Sequence, residues 1–194
     1  MVALGNPGEE YEKTPHNAGF IMCGRWESCL TPSKSSKRWQ SRVVTGSRLG
    51  REVFLLFPQT YMNLSGDAVS KAMHDLKLPL SSLIVVHDDI DLTIGQYKLK
   101  NGGGMAGHKG LISITERLGT KDYARLRIGI GPRPAGEISS FVLRRFSNDE
   151  LSVMLRCFQG ISNSLDAWLE SGIEPAMNQF NGPEAGNVEK NEKD

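Results

Sequence analysis

The chain has 194 residues, of which 39% are hydrophobic and 23% are charged, as is ordinary for one globular domain. Its formal net charge of +1 does not by itself indicate a nucleic-acid-binding protein. No apolar run reaches the ~20 residues of a membrane span, which argues against a membrane-spanning protein. The N-terminal residues MVALGNPG lack the features of a signal peptide, which argues against a secreted protein. The three cysteines form no CxxC motif, which argues against a zinc site. We therefore expect a cytoplasmic protein without a disulfide framework or a zinc site.

Hydrophobic periodicity predicts strands that alternate with helices. The expected strands are residues 1–4, 43–44, 53–57, 83–86, 96–100 and 126–130, the fourth of them stopping at HDD. The expected helices run from residue 16 to before Pro32, from 64 to 76, from the glycine cluster through 118, from 148 through 165 as one long helix, and over 175–180. Residues 33–41 are expected to form a polar loop. The alternation predicts an α/β fold with a single domain and a twisted, mixed, mostly parallel sheet flanked by helices.

The domain is expected to span residues 1–181, followed by a polar tail at 182–194. The last eleven residues, EAGNVEKNEKD, contain four acids and two lysines, which gives them a charge of −2. This composition predicts a disordered tail.

Polar side chains follow three predicted strands. Asn6 follows the first strand, Asn63 follows the strand at 53–57, and Asp88 ends the strand at 83–86, while His16 begins the first helix. Because ligands bind at the carboxyl ends of strands in open α/β sheets, we expect these four side chains to form one site.

These residue types suit hydrolysis by an activated water. A neutral histidine accepts a proton near pH 7, an aspartate on its other nitrogen fixes the tautomer, and amides hold a carbonyl or a water. No GxSxG motif is present, which argues against a covalent serine mechanism. The alternatives are that His16 and Asp88 are capping or surface residues, that Asn6 only forms a turn, and that HDDID binds a metal. The absence of HExxH spacing argues against the metal alternative.

The glycine cluster has two interpretations. Gly102, Gly104 and Gly107 match GxGxxG after a strand and before a helix, as in dinucleotide-binding proteins. The match lies at mid-chain, however, and Arg127 stands where an acid would be expected to bind ribose. We prefer a mobile glycine-rich wall that lets His108 and Lys109 approach a ligand.

Basic residues surround the same loop. They are Lys98, Lys100, Lys109 and Arg127. Because side chains two residues apart on a strand share a face, Lys98 and Lys100 could contact phosphates together. A solvated edge strand that uses lysine to prevent aggregation is an equally good explanation.

Five ordered motifs together resemble bacterial-type peptidyl-tRNA hydrolases over residues 1 to about 180. They are GNPGEEYEKTPHNAGF, QTYMNLSG, HDDIDLTIG, KLKNGGGMAGHKGL and RLRIGIGPR. The resemblance implies a monomeric, phosphorylase/hydrolase-like α/β domain without metal or cofactor. It also implies an enzyme that hydrolyses the ester between a peptide, or an N-blocked amino acid, and the 3′ end of tRNA, which recycles tRNA from aborted translation.

The resemblance implies a role for each matching residue. His16 resembles the base that acts on water, and Asp88 resembles the carboxylate that keeps this histidine basic and oriented. Asn6 resembles the amide that reads the peptide backbone, and Asn63 resembles the amide that binds substrate near the water. The other implied residues are Met62 in the pocket, Tyr11 and Tyr61 at the tRNA end, and Lys98, Lys100 and Arg127 at the tRNA phosphates.

Three positions depart from the family pattern. Pro15 stands where a basic residue is usual, and it restricts Thr14 to extended conformations. Lys109 stands where an asparagine is usual, so an acceptor is lost and phosphate attraction should grow. The N-terminus also begins a few residues later than usual, so we expect that the first strand is short or that the start is trimmed. Two other hypotheses remain at this point: an RNA-binding partner on the same fold, and a nucleotide-dependent enzyme that uses the glycine loop.

Overall fold

The structure is a computed structural model, and it describes residues 1–182. Apart from Gly182, the tail predicted at 182–194 lies outside the described residues.

Seven strands form one mixed sheet in the order β2-β3-β4-β1-β5-β7-β6 within the described residues. The strands are β1 Val2–Ala3, β2 Ser33–Arg38, β3 Ser41–Arg48, β4 Arg51–Pro58, β5 Ile84–Thr93, β6 Tyr97–Asn101 and β7 Ala124–Gly131. The central strands β4, β1, β5 and β7 run parallel, and antiparallel pairs lie at both edges. The predicted α/β class with a mixed, mostly parallel sheet is confirmed.

Helices cover both faces of this sheet. They are α1 Ala18–Trp26, α2 Ser65–Leu76, α3 Lys109–Leu118, α4 Ile138–Leu143, α5 Asn148–Arg156, α6 Phe158–Ser171 and α7 Ile173–Phe180. Alternating strand residues face opposite sides: Ala3 packs with α1 and α6, whereas Val2 packs with α2 and α3. Within residues 1–182, no helix is both long enough and apolar enough to cross a bilayer.

Two predicted strand boundaries are wrong. Residues 33–38, expected in a loop, form edge strand β2, which pairs with β3 from Ser33–Gly46 to Arg38–Ser41. All six side chains of β2 are exposed, so backbone hydrogen bonds rather than apolar burial define this strand. The strand expected at 83–86 continues to Thr93 because β7 pairs with it through Asp89–Gly129 and beyond.

Two helix predictions also need correction. The helix expected from 148 through 165 is divided at Cys157 into α5 and α6. Helix α4 was not predicted: Ile138, Phe141 and Val142 do have helical spacing, but the helix has only six residues and follows a segment with two prolines and a glycine. This short helix becomes one wall of the cavity described below.

Candidate active site

Helix α1 packs closely against Leu4, just after β1, and against Val86 in β5. The Phe20 backbone N–H donates to the Leu4 carbonyl at 3.2 Å, and the Leu4 N–H donates to the Val86 carbonyl at 2.9 Å. A Cβ atom on Gly19 would collide with both carbonyl oxygens, so this approach requires glycine. The contact places the preceding 3-10 helix, which contains His16, beside β5.

His16 and Asp88 meet in the buried part of the site, as predicted. The His16 Nδ1–H donates to both carboxylate oxygens of Asp88, at 3.0 and 3.1 Å. The residues are 8% and 3% exposed. His16 Nε2 has no hydrogen-bond partner among residues 1–182. His16 also lines the cavity that is described below. This nitrogen is therefore available to accept a proton.

His16 and Asp88 each shift the pKa of the other toward its charged form. Burial alone would lower the pKa of His16, but the charge and hydrogen bond of Asp88 outweigh burial and raise it above its usual value. Lys109 acts in the opposite direction on the same pKa. Burial alone would raise the pKa of Asp88, but His16 and His108 hold it well below its usual range. Asp88 is therefore an anion that favours protonated His16.

His108 also binds the Asp88 carboxylate. It is the N-cap of α3, and its Nδ1 accepts the backbone N–H groups of Gly110 and Leu111 at 3.1 and 3.4 Å. The proton of the neutral ring must then lie on Nε2, which donates to Asp88 Oδ1 at 2.9 Å. The sequence predicted a substrate-binding role for His108; in the structure this side chain lines the cavity and donates to the same carboxylate that binds His16.

His87 lies behind this pair of histidines and was missed in the sequence. Its Nδ1–H donates to the Asp88 carbonyl at 2.7 Å, and its ring meets His108 edge-on at 5.1 Å between centroids. Burial, with a smaller contribution from the neighbouring His108, lowers the pKa of His87 to about 3, so the ring is neutral. Its position directly before Asp88 was the one available signal.

Asn17, also missed in the sequence, fixes the turn that carries Asn6. The Asn6 N–H donates to Asn17 Oδ1 at 2.8 Å, and Asn17 Nδ2 donates to the Asn6 carbonyl at 3.0 Å. The Asn6 side-chain oxygen in turn accepts the Met62 backbone N–H at 2.8 Å. The Asn6 amide nitrogen has no partner among the described residues, so its two N–H donors remain free at the cavity.

These groups open onto one cavity of about 730 Å³. Its apolar wall comes from Met62, Met105, Leu111, Ile138, Val142 and Leu143. The lining combines these polar groups with apolar side chains, as in sites that bind a ligand with both kinds of surface.

Comparison with known proteins agrees with the motifs. The family model for peptidyl-tRNA hydrolase matches residues 1–191. The chain belongs to the peptidyl-tRNA hydrolase family. Among curated relatives, the peptidyl-tRNA hydrolase of Geobacter sp. (strain M21) is 41% identical over 181 residues, covering 93% of this chain and 96% of the relative. The peptidyl-tRNA hydrolase of Trichlorobacter lovleyi is 42% identical over 181 residues, covering 93% of this chain and 94% of the relative. The predicted resemblance is thus confirmed.

Solved structures of this family share the fold. A crystal structure of peptidyl-tRNA hydrolase from Acinetobacter baumannii superposes with a TM-score of 0.85 at 33% identity, covering 92% of this chain and 91% of that one.

The cavity gathers nearly every site residue predicted from the sequence. Those that line it are Asn6, Tyr11, His16, Tyr61, Met62, Asn63, Asp88, Lys100, His108, Lys109 and Arg127. Lys98 does not line it and lies exposed on β6. The wall contributed by α4 was not predicted from the sequence.

The three cations at the cavity are held differently. Arg127 Nε donates to Asp89 at 2.6 Å, so a carboxylate balances its charge. Lys100 and Lys109 form no ion pair with residues 1–182. These two lysines therefore carry the uncompensated positive charge of the cavity.

The glycine loop does not form a dinucleotide site. In the fingerprint, a glycine-rich turn follows the first of two parallel strands, but β6 is antiparallel to β7, the strand after α3. Buried Arg125 instead donates to the carbonyls of Gly103 and Gly104, at 2.9 and 2.8 Å, and anchors the loop. The hypothesis of a nucleotide-dependent enzyme loses its structural support.

The hydrogen bonds also disfavour a metal at this site. His16, Asp88 and His108 offer three ligand atoms within 4.8 Å of one another. His108 Nδ1 already accepts backbone N–H groups, so its Nε2 carries a proton and has no lone pair for an ion. Asp89, in the alternative HDDID site, is paired with Arg127. The residues fit a hydrogen-bonded network better than a metal centre.

Pro15 is compatible with the site. It is buried at the first position of the 3-10 helix, where its missing N–H costs nothing. Thr14 is extended, with φ −95° and ψ 152°, as predicted for a residue before proline. The departure from the family pattern therefore leaves the placement of His16 intact.

Proposed function

We propose that this protein hydrolyses the ester between a peptide, or an N-blocked amino acid, and the 3′ end of tRNA, with His16 as the general base. The observation that carries the proposal is the arrangement of His16, whose Nδ1 is held by buried Asp88 while Nε2 stays free at the cavity. In the cell this activity would recycle tRNA from aborted translation.

The reaction follows from this arrangement. His16 Nε2 takes a proton from a water as that water adds to the ester carbonyl, and Asp88 stabilises the imidazolium that forms. The free N–H donors of Asn6, together with the Asn63 amide, offer hydrogen bonds to the substrate carbonyl as it gains negative charge. The imidazolium then returns the proton to the departing ribose oxygen. General base catalysis of this kind contributes roughly 10²- to 10⁴-fold.

Outer residues of the cavity would hold the rest of the substrate. Tyr61 is 61% exposed and, with Tyr11, offers aromatic surface on which terminal bases can stack. Met62 lines the pocket beside the ester. Lys98, Lys100 and Arg127 would contact tRNA phosphates, with Arg127 using the N–H groups that Asp89 leaves free.

The remaining assignments rest on the family and the composition. We place the enzymatic unit at residues 1–181, with 182–194 as a tail, and propose a cytoplasmic monomer that needs no protein partner, metal or cofactor. An RNA-binding protein without activity is the alternative. The intact contact between His16 and Asp88 favours the enzyme, since RNA binding alone requires no oriented base.

The test is hydrolysis of purified N-acetyl-aminoacyl-tRNA by wild type and by His16→Ala, with a chelator present. We expect the wild type to be active and His16→Ala to lose roughly 10²-fold or more in kcat. His74→Ala is the matched control, because this histidine is 89% exposed at its side chain and lies outside the cavity. Circular dichroism checks folding. Full activity in folded His16→Ala would refute the assignment, and loss of wild-type activity on chelation would point to a metal.

A further inference from the structure

Lys109 is an exposed cation that lines the cavity near His16. It is the first residue of α3 and directly follows His108, whose ring binds the Asp88 carboxylate. It lines the same cavity as His16 and is close enough for its charge to act on that ring. Lys109 therefore stands beside the chemistry rather than at a distant surface.

The neighbouring charges leave Lys109 without a partner. Each carboxylate at the cavity is already engaged: Asp88 by two histidines, Asp89 by Arg127 and Asp91 by Arg133. Within residues 1–182, Lys109 forms no ion pair. A cation that no protein group compensates is suited to an anionic group of the ligand.

The substrate brings such a group to this place. In a peptidyl-tRNA, the ester and the nearest phosphate belong to the same terminal nucleotide and are separated by one ribose. When the ester lies at His16, that phosphate must lie within a few atoms of it, at the same end of the cavity. A lysine reaches a phosphate as a flexible point charge, which suits a position at the edge of a site.

We propose that Lys109 binds the 5′ phosphate of the terminal nucleotide and thereby strengthens binding of nucleotide-linked esters at this cavity. This inference rests on the proposed function and adds a specificity-determining residue to it. The phosphate contact would let the enzyme distinguish a nucleotide-linked ester from an ester on a bare nucleoside.

The test compares Lys109→Gln, which removes the charge, with Lys109→Arg, which keeps it. On N-acetyl-aminoacyl-tRNA we expect Lys109→Gln to raise KM about tenfold with little change in kcat. The slope of log(kcat/KM) against log[salt] should flatten by about 0.7, the value for one phosphate contact on a single strand. Lys109→Arg should keep both KM and the salt slope close to their wild-type values. Lys34→Gln is the control, because Lys34 is exposed on β2, at the far edge of the sheet.

Two shorter substrates sharpen the test. N-acetyl-aminoacyl esters of the dinucleotide CpA contain the phosphate in question, and those of adenosine do not. At a pH above the His16 midpoint, where the base is neutral in both proteins, the Lys109→Gln defect in kcat/KM should persist on the first and vanish on the second.

Each outcome separates the two proposals. If the wild type hydrolyses the tRNA substrate but Lys109→Gln leaves the salt slope unchanged, or lowers kcat alone, the phosphate contact is refuted and the proposed function stands. If the wild type hydrolyses none of the substrates, the proposed function fails and the inference falls with it.

Discussion

The inner and outer parts of the cavity differ in how firmly their side chains are held. In the inner part, the side chains of His16, Asp88 and His108 are at most 10% exposed and are joined by hydrogen bonds of 2.9–3.1 Å. In the outer part, Asn63 and Lys109 are exposed, and neither side chain bonds to another described residue. Proton transfer needs fixed distances, whereas substrate binding tolerates mobile groups. The Lys109 departure from the family pattern lies in the outer part.

The pH dependence of the reaction tests the interaction between His16 and Asp88 in the inner part. Because the pKa of His16 is raised, kcat/KM should fall about tenfold per pH unit below a midpoint that lies above the ordinary ~6.5. Lys109 lowers this pKa, so Lys109→Gln should move the midpoint to higher pH. A rate profile measured from pH 5 to 9 checks both statements. A midpoint below 6.5 would contradict them.

The same pKa shifts predict how stability depends on pH. For His16, whose folded pKa is raised, the stabilisation is complete below the unfolded value and is lost as pH rises through the folded value. For Asp88, whose folded pKa is lowered, the stabilisation is present above the unfolded value of ~3.9 and is lost as pH falls through the folded one. Denaturant titrations at several pH values measure these opposite trends.

Loss of the hydrogen bonds that hold the Asn6 backbone should have a smaller effect on turnover than changes to His16. Asn17→Ala removes both hydrogen bonds to the Asn6 backbone and leaves buried polar groups unpaired. We expect the free energy of unfolding to fall by about 1–3 kcal/mol, and kcat by roughly tenfold because the Asn6 amide loses its orientation. Asn163→Ala, at an exposed position of α6, should change stability by less than ~0.5 kcal/mol. Equal effects of the two variants would show that Asn17 has no special role.

The sequence predicted the inner part better than its surroundings. Apolar periodicity located β1 and α1, and strand-end logic brought His16 and Asp88 together, because the carboxyl ends of neighbouring parallel strands must meet. The same logic placed Asp88 after a strand, whereas it lies inside β5, since pairing with β7 continues past the apolar residues. Strand β2 has too little apolar patterning to be recognised, and helix α4 is too short for its apolar spacing to distinguish it from a loop. The roles of Asn17 and His108 depend on hydrogen-bond partners that only the folded chain reveals.

The central claim, that His16 and Asp88 act as one unit on a water, is tested most directly by a double-mutant cycle. Turnover of N-acetyl-aminoacyl-tRNA is measured for wild type, His16→Ala, Asp88→Asn and the double variant, with folding checked for each. We predict that each single substitution lowers kcat by roughly 10²- to 10⁴-fold and that the double variant is about as slow as His16→Ala alone. Losses that multiply in the double variant would show that the two residues act independently and would contradict the account.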